Sequence, residues 1–248
     1  MFKILLSIVF FSTLSLPVSA NLSLSKFRLY FDNSNRNDAL QLRNKGDRAI
    51  SYAVELGLVS MTEEGTLHVV EEDPYSAIGL LRYSPKRGTI EPGERQALRF
   101  SVRKPAGLKD GEYRAVLKVT SAPLMEQSTK VAMQSKLAYS LPIIIRHGRL
   151  SASTKLTEAK LVTVGDTASI EVWQLLEGNR SVFGNFIVED DNGNEVGVLN
   201  SSAVYQPLTR RRVIIPLSQN VSGKITVKFS EVALYGGTEK AQTTVIIN

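Results

Sequence analysis

The chain has 248 residues, 43% of them hydrophobic and 22% charged, which is ample for more than one core and excludes a disordered tail. Its 30 Lys and Arg against 24 Asp and Glu give a net charge of +6, yet the cations are scattered and no nucleic-acid partner is expected. Cysteine is absent and His68 and His147 are the only histidines, which removes disulfide frameworks, thiolate chemistry, His-rich metal centres and His-dependent triads. No cofactor and no enzymatic activity are expected.

Residues 1–20 (MFKILLSIVFFSTLSLPVSA) hold one Lys, an apolar stretch over residues 4–16, a Pro break and the small-residue end Val18-Ser19-Ala20. That is the layout of a signal peptide cleaved near Ala20. The apolar run is interrupted by Ser12, Thr13 and Ser15 and is too short to span a bilayer, so no membrane insertion is expected. An exported chain without Cys suits a bacterial periplasm or cell surface.

From residue 21 onward the apolar period is two. Phe27, Leu29 and Phe31 alternate with polar neighbours, which predicts a strand with these three facing a core and Arg28 facing outward. Leu40 and Leu42 lead to a turn at residues 44–47, and Ile50, Tyr52, Val54, Leu56 and Leu58 follow as the second strand of an expected hairpin. The turn at residues 62–65 precedes Leu67, Val69 and Val70. Strands around Leu98 to Val102 and Tyr113 to Val119 come next, and the longest run covers residues 131–145. Seven short strands with regular turn signals describe an immunoglobulin-like sandwich. A boundary falls near His147-Gly148, after which the same grammar returns; Asp191-Asn192-Gly193-Asn194 predicts a type I′ hairpin turn. The expected fold is all-β, with a domain over residues 21–147, a second over 148–248, and a cleft between them.

Several stretches carry a family resemblance. YSPKRGTIEPGE at residues 83–94, DGEYR at 110–114, LPIIIR at 141–146, GNRSVFG at 178–184 and AVY at 203–205 resemble the periplasmic chaperones of the chaperone–usher pilus pathway, the PapD-like superfamily. The resemblance implies two immunoglobulin-like β-sandwich domains in a boomerang arrangement. It implies a periplasmic chaperone that stabilises pilin subunits by donor-strand complementation and delivers them to an outer-membrane usher. The rival reading is an exported two-domain adhesin or structural surface protein. Whether the free chaperone caps itself as a homodimer stays open.

The donor strand that the resemblance implies covers residues 131–141, with Val131, Met133, Leu137, Tyr139 and Leu141 on one face and Lys136 on the other. An ordinary strand burying the first set in its own core is the competing account. The family also anchors the subunit's terminal carboxylate on two cleft bases. Arg28 matches the first; Pro142 stands where the second is normally Lys, a departure that suggests an archaic or divergent branch and leaves Arg114 or Lys136 as substitutes. Arg210-Arg211-Arg212 reads as a solvated strand edge, and Glu63-Glu64 as solubilising charge.

Overall fold

The computed structural model describes residues 22–124 and 136–247. The leader and two expected donor residues, Val131 and Met133, lie outside the described residues. The first ten strands are β1 (Leu22–Leu24), β2 (Leu29–Phe31), β3 (Asn37–Asn44), β4 (Ile50–Met61), β5 (Leu67–Val70), β6 (Leu81–Ser84), β7 (Arg87–Ile90), β8 (Arg95–Val102), β9 (Gly111–Pro123) and β10 (Leu137–His147). The last seven are β11 (Ala152–Val164), β12 (Thr167–Gly178), β13 (Val182–Glu189), β14 (Glu195–Val204), β15 (Arg210–Pro216), β16 (Gly223–Glu231) and β17 (Lys240–Ile247). Among the described residues there is no α-helix, only short 3-10 turns at Ile78–Leu80 and Ala233–Tyr235.

The first set forms sheets β1-β3-β8-β6 and β2-β10-β9-β4-β5, with β7 also on β4; the second forms β11-β12-β15 and β14-β13-β16-β17. Every ladder is antiparallel except β2 on β10, which is parallel. Alternate side chains of facing sheets meet in two separate interiors, as sandwich geometry requires. Phe31, Leu40, Leu98 and Leu117 centre the first, and Ile170, Phe186, Val213 and Phe229 the second. The expected all-β, two-sandwich architecture is therefore the observed one.

Three local expectations need correction. The turn at residues 44–47 does not make a hairpin, because β3 and β4 belong to different sheets. The Asn44 side chain donates to the carbonyls of Arg48 and Ile90 and so steers the chain across the sandwich. Phe27 does not face the core: β2 begins only at Leu29, and Phe27 is 64% exposed beside the Tyr139 ring, while Leu29 and Phe31 are buried as expected. The β13–β14 hairpin forms, but Gly193 is the one turn residue at positive φ, so the turn is not type I′.

The connection between the sandwiches is short and held. Arg149 N–H donates to Asp110, Ser151 N–H donates to the Asn179 side chain, and Asn179 donates back to the Arg149 carbonyl. Gly148 has φ +72 and lies so close to the Asp110 carboxylate that a Cβ would overlap it.

Leu141 was expected to project toward a subunit; it is instead fully buried in the first core. Leu141→Ala should lower unfolding free energy by about 2–5 kcal/mol, read as a reduced urea midpoint at unchanged slope. An unaltered midpoint would contradict its interior place.

Candidate functional site

Strand β10 sits near one side of its sheet, and its neighbours change along its length. All of β10, from Leu137 to His147, pairs with β9, whereas β2 pairs only with Ile143, Ile144 and Ile145. Opposite β9, the edge from Leu137 to Pro142 has no strand partner among the described residues. Unpaired backbone N–H and C=O groups on such an edge are a template for another chain. Leu137 and Tyr139 are half-buried against the first core, and the Tyr139 hydroxyl donates to the Leu22 carbonyl. Together with exposed Phe27 they give this edge an apolar margin.

At the other end of β10 the alternation disappears, since Ile143, Ile144 and Ile145 are all buried. Their register explains it. Ile143 shares a level with Leu29 and Ala115, facing the core; Ile144 shares one with Tyr30 and Arg114, facing the second sandwich. A sheet covered on both faces has no need of alternation.

Arg28, just ahead of β2, faces this junction and is only 7% exposed. It donates to the Tyr205 hydroxyl at 2.9 Å, and its guanidinium lies over the Phe183 ring at 3.7 Å, with Tyr235 at 5.5 Å and Tyr205 at 5.9 Å. Arginine has five N–H donors; no other protein acceptor and no carboxylate meets Arg28 among the described residues. Cation–π contact supports such a charge by about 0.5–2 kcal/mol without neutralising it.

Arg114, on β9, comes to the same place: its guanidinium is 5.3 Å from the Tyr205 ring and lines a small cavity with Pro142 and Ile144. It is already paired, donating to Asp73 at 3.2 Å. Lys136 stands elsewhere. It lies exposed ahead of β10 beside Arg87 and Lys118, six residues from Pro142, a span of roughly 20 Å along a strand. The structure thus gathers Arg28 and Arg114 around Tyr205 and leaves Lys136 apart.

Below this site lies a charged network that sequence reading did not detect. Arg146 Nε donates to Glu112 at 3.1 Å, and its terminal nitrogens donate to the carbonyls of Tyr235, Gly236 and Ser181. The Ser181 hydroxyl donates to the other Glu112 oxygen. Arg180 makes a two-pronged pair with Glu231 at 2.8 and 3.0 Å, and Glu231 also accepts backbone N–H bonds from Phe183, Thr238 and Glu239. Burial pushes the neighbouring Tyr30 hydroxyl up in pKa, while the Arg146 guanidinium acts in the opposite sense. The available signal was a Glu and an Arg placed directly opposite across the β9–β10 ladder.

The sandwiches touch a second time. Arg212 N–H donates to the Glu63 carbonyl at 2.7 Å, and Arg210 Nε donates to the Glu63 carboxylate at 2.8 Å. Arg212 also stands 3.5 Å from Glu171. The three-arginine run is therefore no free strand edge; it receives the β4–β5 turn. Glu63 is not merely a solubilising charge.

No protein-family model matches the sequence, and no curated protein matches it either. Solved structures do match. The YadV chaperone is 13% identical over 91% of this chain and 100% of its own, with a TM-score of 0.54. The chaperone–tip adhesion subunit pre-assembly complex CsuC–CsuE, from archaic chaperone–usher Csu pili of Acinetobacter baumannii, is 14% identical over 91% and 98%, at 0.52. The Pseudomonas aeruginosa CupB2 chaperone is 13% identical over 91% and 100%, at 0.50. This chain has the fold of the chaperone–usher pilus chaperones.

Glu112→Ala would leave Arg146 buried and unpaired, so it should cost about 3–5 kcal/mol of stability. Chemical denaturation checks this. A loss below about 1 kcal/mol, the range of exposed pairs, would show the network to be solvated.

Proposed function

We propose that the protein is an exported, periplasmic chaperone, freed of residues 1–20, that holds pilin-like fibre subunits by strand donation and passes them to an outer-membrane usher. The working parts in this reading are domains over residues 21–147 and 148–248. The observation that carries it is the edge of β10 over residues 137–142, without a strand partner among the described residues, followed by an arginine that meets no carboxylate among them. An incomplete subunit sandwich exposes backbone and apolar surface; a lent strand satisfies both at once. The similarity to CsuC, solved with a tip subunit, supports a client of that kind.

In this proposal Leu137 and Tyr139, half-buried at the margin of their own core, present their exposed sides to the client's groove. By sequence parity Val131 and Met133, outside the described residues, belong to the same donor set, and Leu141 stays inside. Arg28 receives the client's terminal carboxylate, with Arg114 as an auxiliary base. Lys136 has no part in it.

Tyr139→Asp and Leu137→Asp should abolish co-purification of fibre subunits from periplasm, because an unpartnered charge entering an apolar groove costs several kcal/mol. Both variants should keep their circular dichroism spectrum. Normal subunit yield from both would remove strand donation and favour the adhesin reading.

Arg28→Ala should weaken subunit binding about ten-fold or more, the worth of a charge-assisted hydrogen bond. Arg28→Lys should recover part, since the charge stays and the planar fork is lost. Equal affinity of Arg28→Ala and parent would exclude carboxylate anchoring.

A further inference from the structure

The Arg210-Arg211-Arg212 run does more than receive a turn. Arg211 reaches inward between two elements. Its terminal nitrogen donates to the Ala203 carbonyl at 2.6 Å and to the Ser202 hydroxyl at 3.1 Å, so it holds the last residues of strand β14. Tyr205 follows that strand directly, and its hydroxyl is the one acceptor that Arg28 meets among the described residues. On its other side Arg211 lies across the β4–β5 turn at Gly65. Gly65 has φ +84, and a Cβ there would fall within the guanidinium. Glu63 binds Arg210 and Arg212 on either side of Arg211. Arg211 is thus packed against the first sandwich's hairpin at Gly65 and hydrogen-bonded to the end of β14, two residues along the backbone from Tyr205, which meets Arg28 of the first sandwich. Arg211 has no carboxylate partner among the described residues, and its Nε, buried, has no acceptor.

We propose that Arg211 is the positioning residue of the cleft's anion site, fixing Tyr205 so that the Arg28 guanidinium is presented to a carboxylate. This rests on the reading of Arg28 as that site. Arg211 touches no ligand itself; it acts through the β14 end.

The test uses the mature chain and N-acetyl-phenylalanine as carboxylate probe, with N-acetyl-phenylalanine amide as control. Binding is followed on the Arg28 Nε–H resonance. The parent should respond to the carboxylate and not to the amide. Arg211→Met should weaken carboxylate binding about ten-fold, the loss of one oriented charged hydrogen bond, and Arg211→Lys should recover part of it. Gly65→Ala displaces the guanidinium without removing it and should weaken binding in the same direction, which keeps the test decisive if Arg211→Met folds poorly. The double-mutant cycle identifies the route: in a Tyr205→Phe background, Arg211→Lys should have no further effect. A parent that ignores the carboxylate overturns the Arg28 site and this role together. A parent that discriminates, with Arg211 and Gly65 variants that bind equally well or act additively with Tyr205→Phe, overturns the Arg211 role alone.

Discussion

The geometry of this protein depends on the buried Arg146–Glu112 pair and the groups that close around it. The two sandwiches have separate apolar cores. Aromatic rings such as Tyr30 and Tyr235 meet across the junction, and its directional contacts are ionic and polar: Arg146 spans from Glu112 to three carbonyls of the second sandwich, and the Ser181 hydroxyl closes the loop. Apolar contact is non-directional and would tolerate sliding. Charged hydrogen bonds are short and angular, and a buried charge that loses its partner is costly. The junction therefore favours one relative placement of the sandwiches. The Glu63 contact with Arg210 and Arg212 supports that placement at a second point, less strongly because it is more exposed.

That rigidity bears on β10, which changes character along its length. Its last residues belong to the junction, its three isoleucines are covered on both faces, and its first six have an edge free of any strand among the described residues. A free edge on a flexible element would lose much of its binding energy to ordering. Here β9 pairs with the whole strand, so the free groups are presented on a backbone already fixed. Tyr139 is tied to Leu22 and packed by Phe27, which limits the motion of the apolar margin as well.

Much of the fold was legible in the period-two pattern, because a sandwich buries one face of each strand. Leu40, Leu42, Val54, Leu98, Phe100, Leu117 and Val119 are buried as their alternation requires. The pattern is silent about which strands pair. That is why residues 44–47 read as a hairpin turn while Asn44 in fact guides a crossover. It also extends too readily past a strand end, as Phe27 shows. At the candidate site, alternation correctly turned Arg28 away from the core, but only the fold could show that outward meant Phe183, Tyr205 and Tyr235. Arg146 and Glu112 were hidden for a different reason. A buried ion pair leaves the same residues in a sequence as a solvated one, and the partners lie far apart along the chain.

The buried arginines at the junction are not equivalent, and the difference carries chemical meaning. Arg114 has Asp73, Arg146 has Glu112 and Arg180 has Glu231. Arg28, equally buried, has aromatic faces and a phenol hydroxyl. Desolvating a guanidinium costs several kcal/mol, and aromatic faces offset only part of that. A fold with three acids already placed nearby had the means to neutralise a fourth arginine. Leaving Arg28 without one keeps a positive potential at the inner end of an unpaired strand edge, where a chain laid along β10 would bring its terminus. A neutralised arginine would stabilise the free protein more and would offer such a terminus nothing. Under the proposed function a carboxylate arriving there would offset part of that cost, less the cost of its own desolvation.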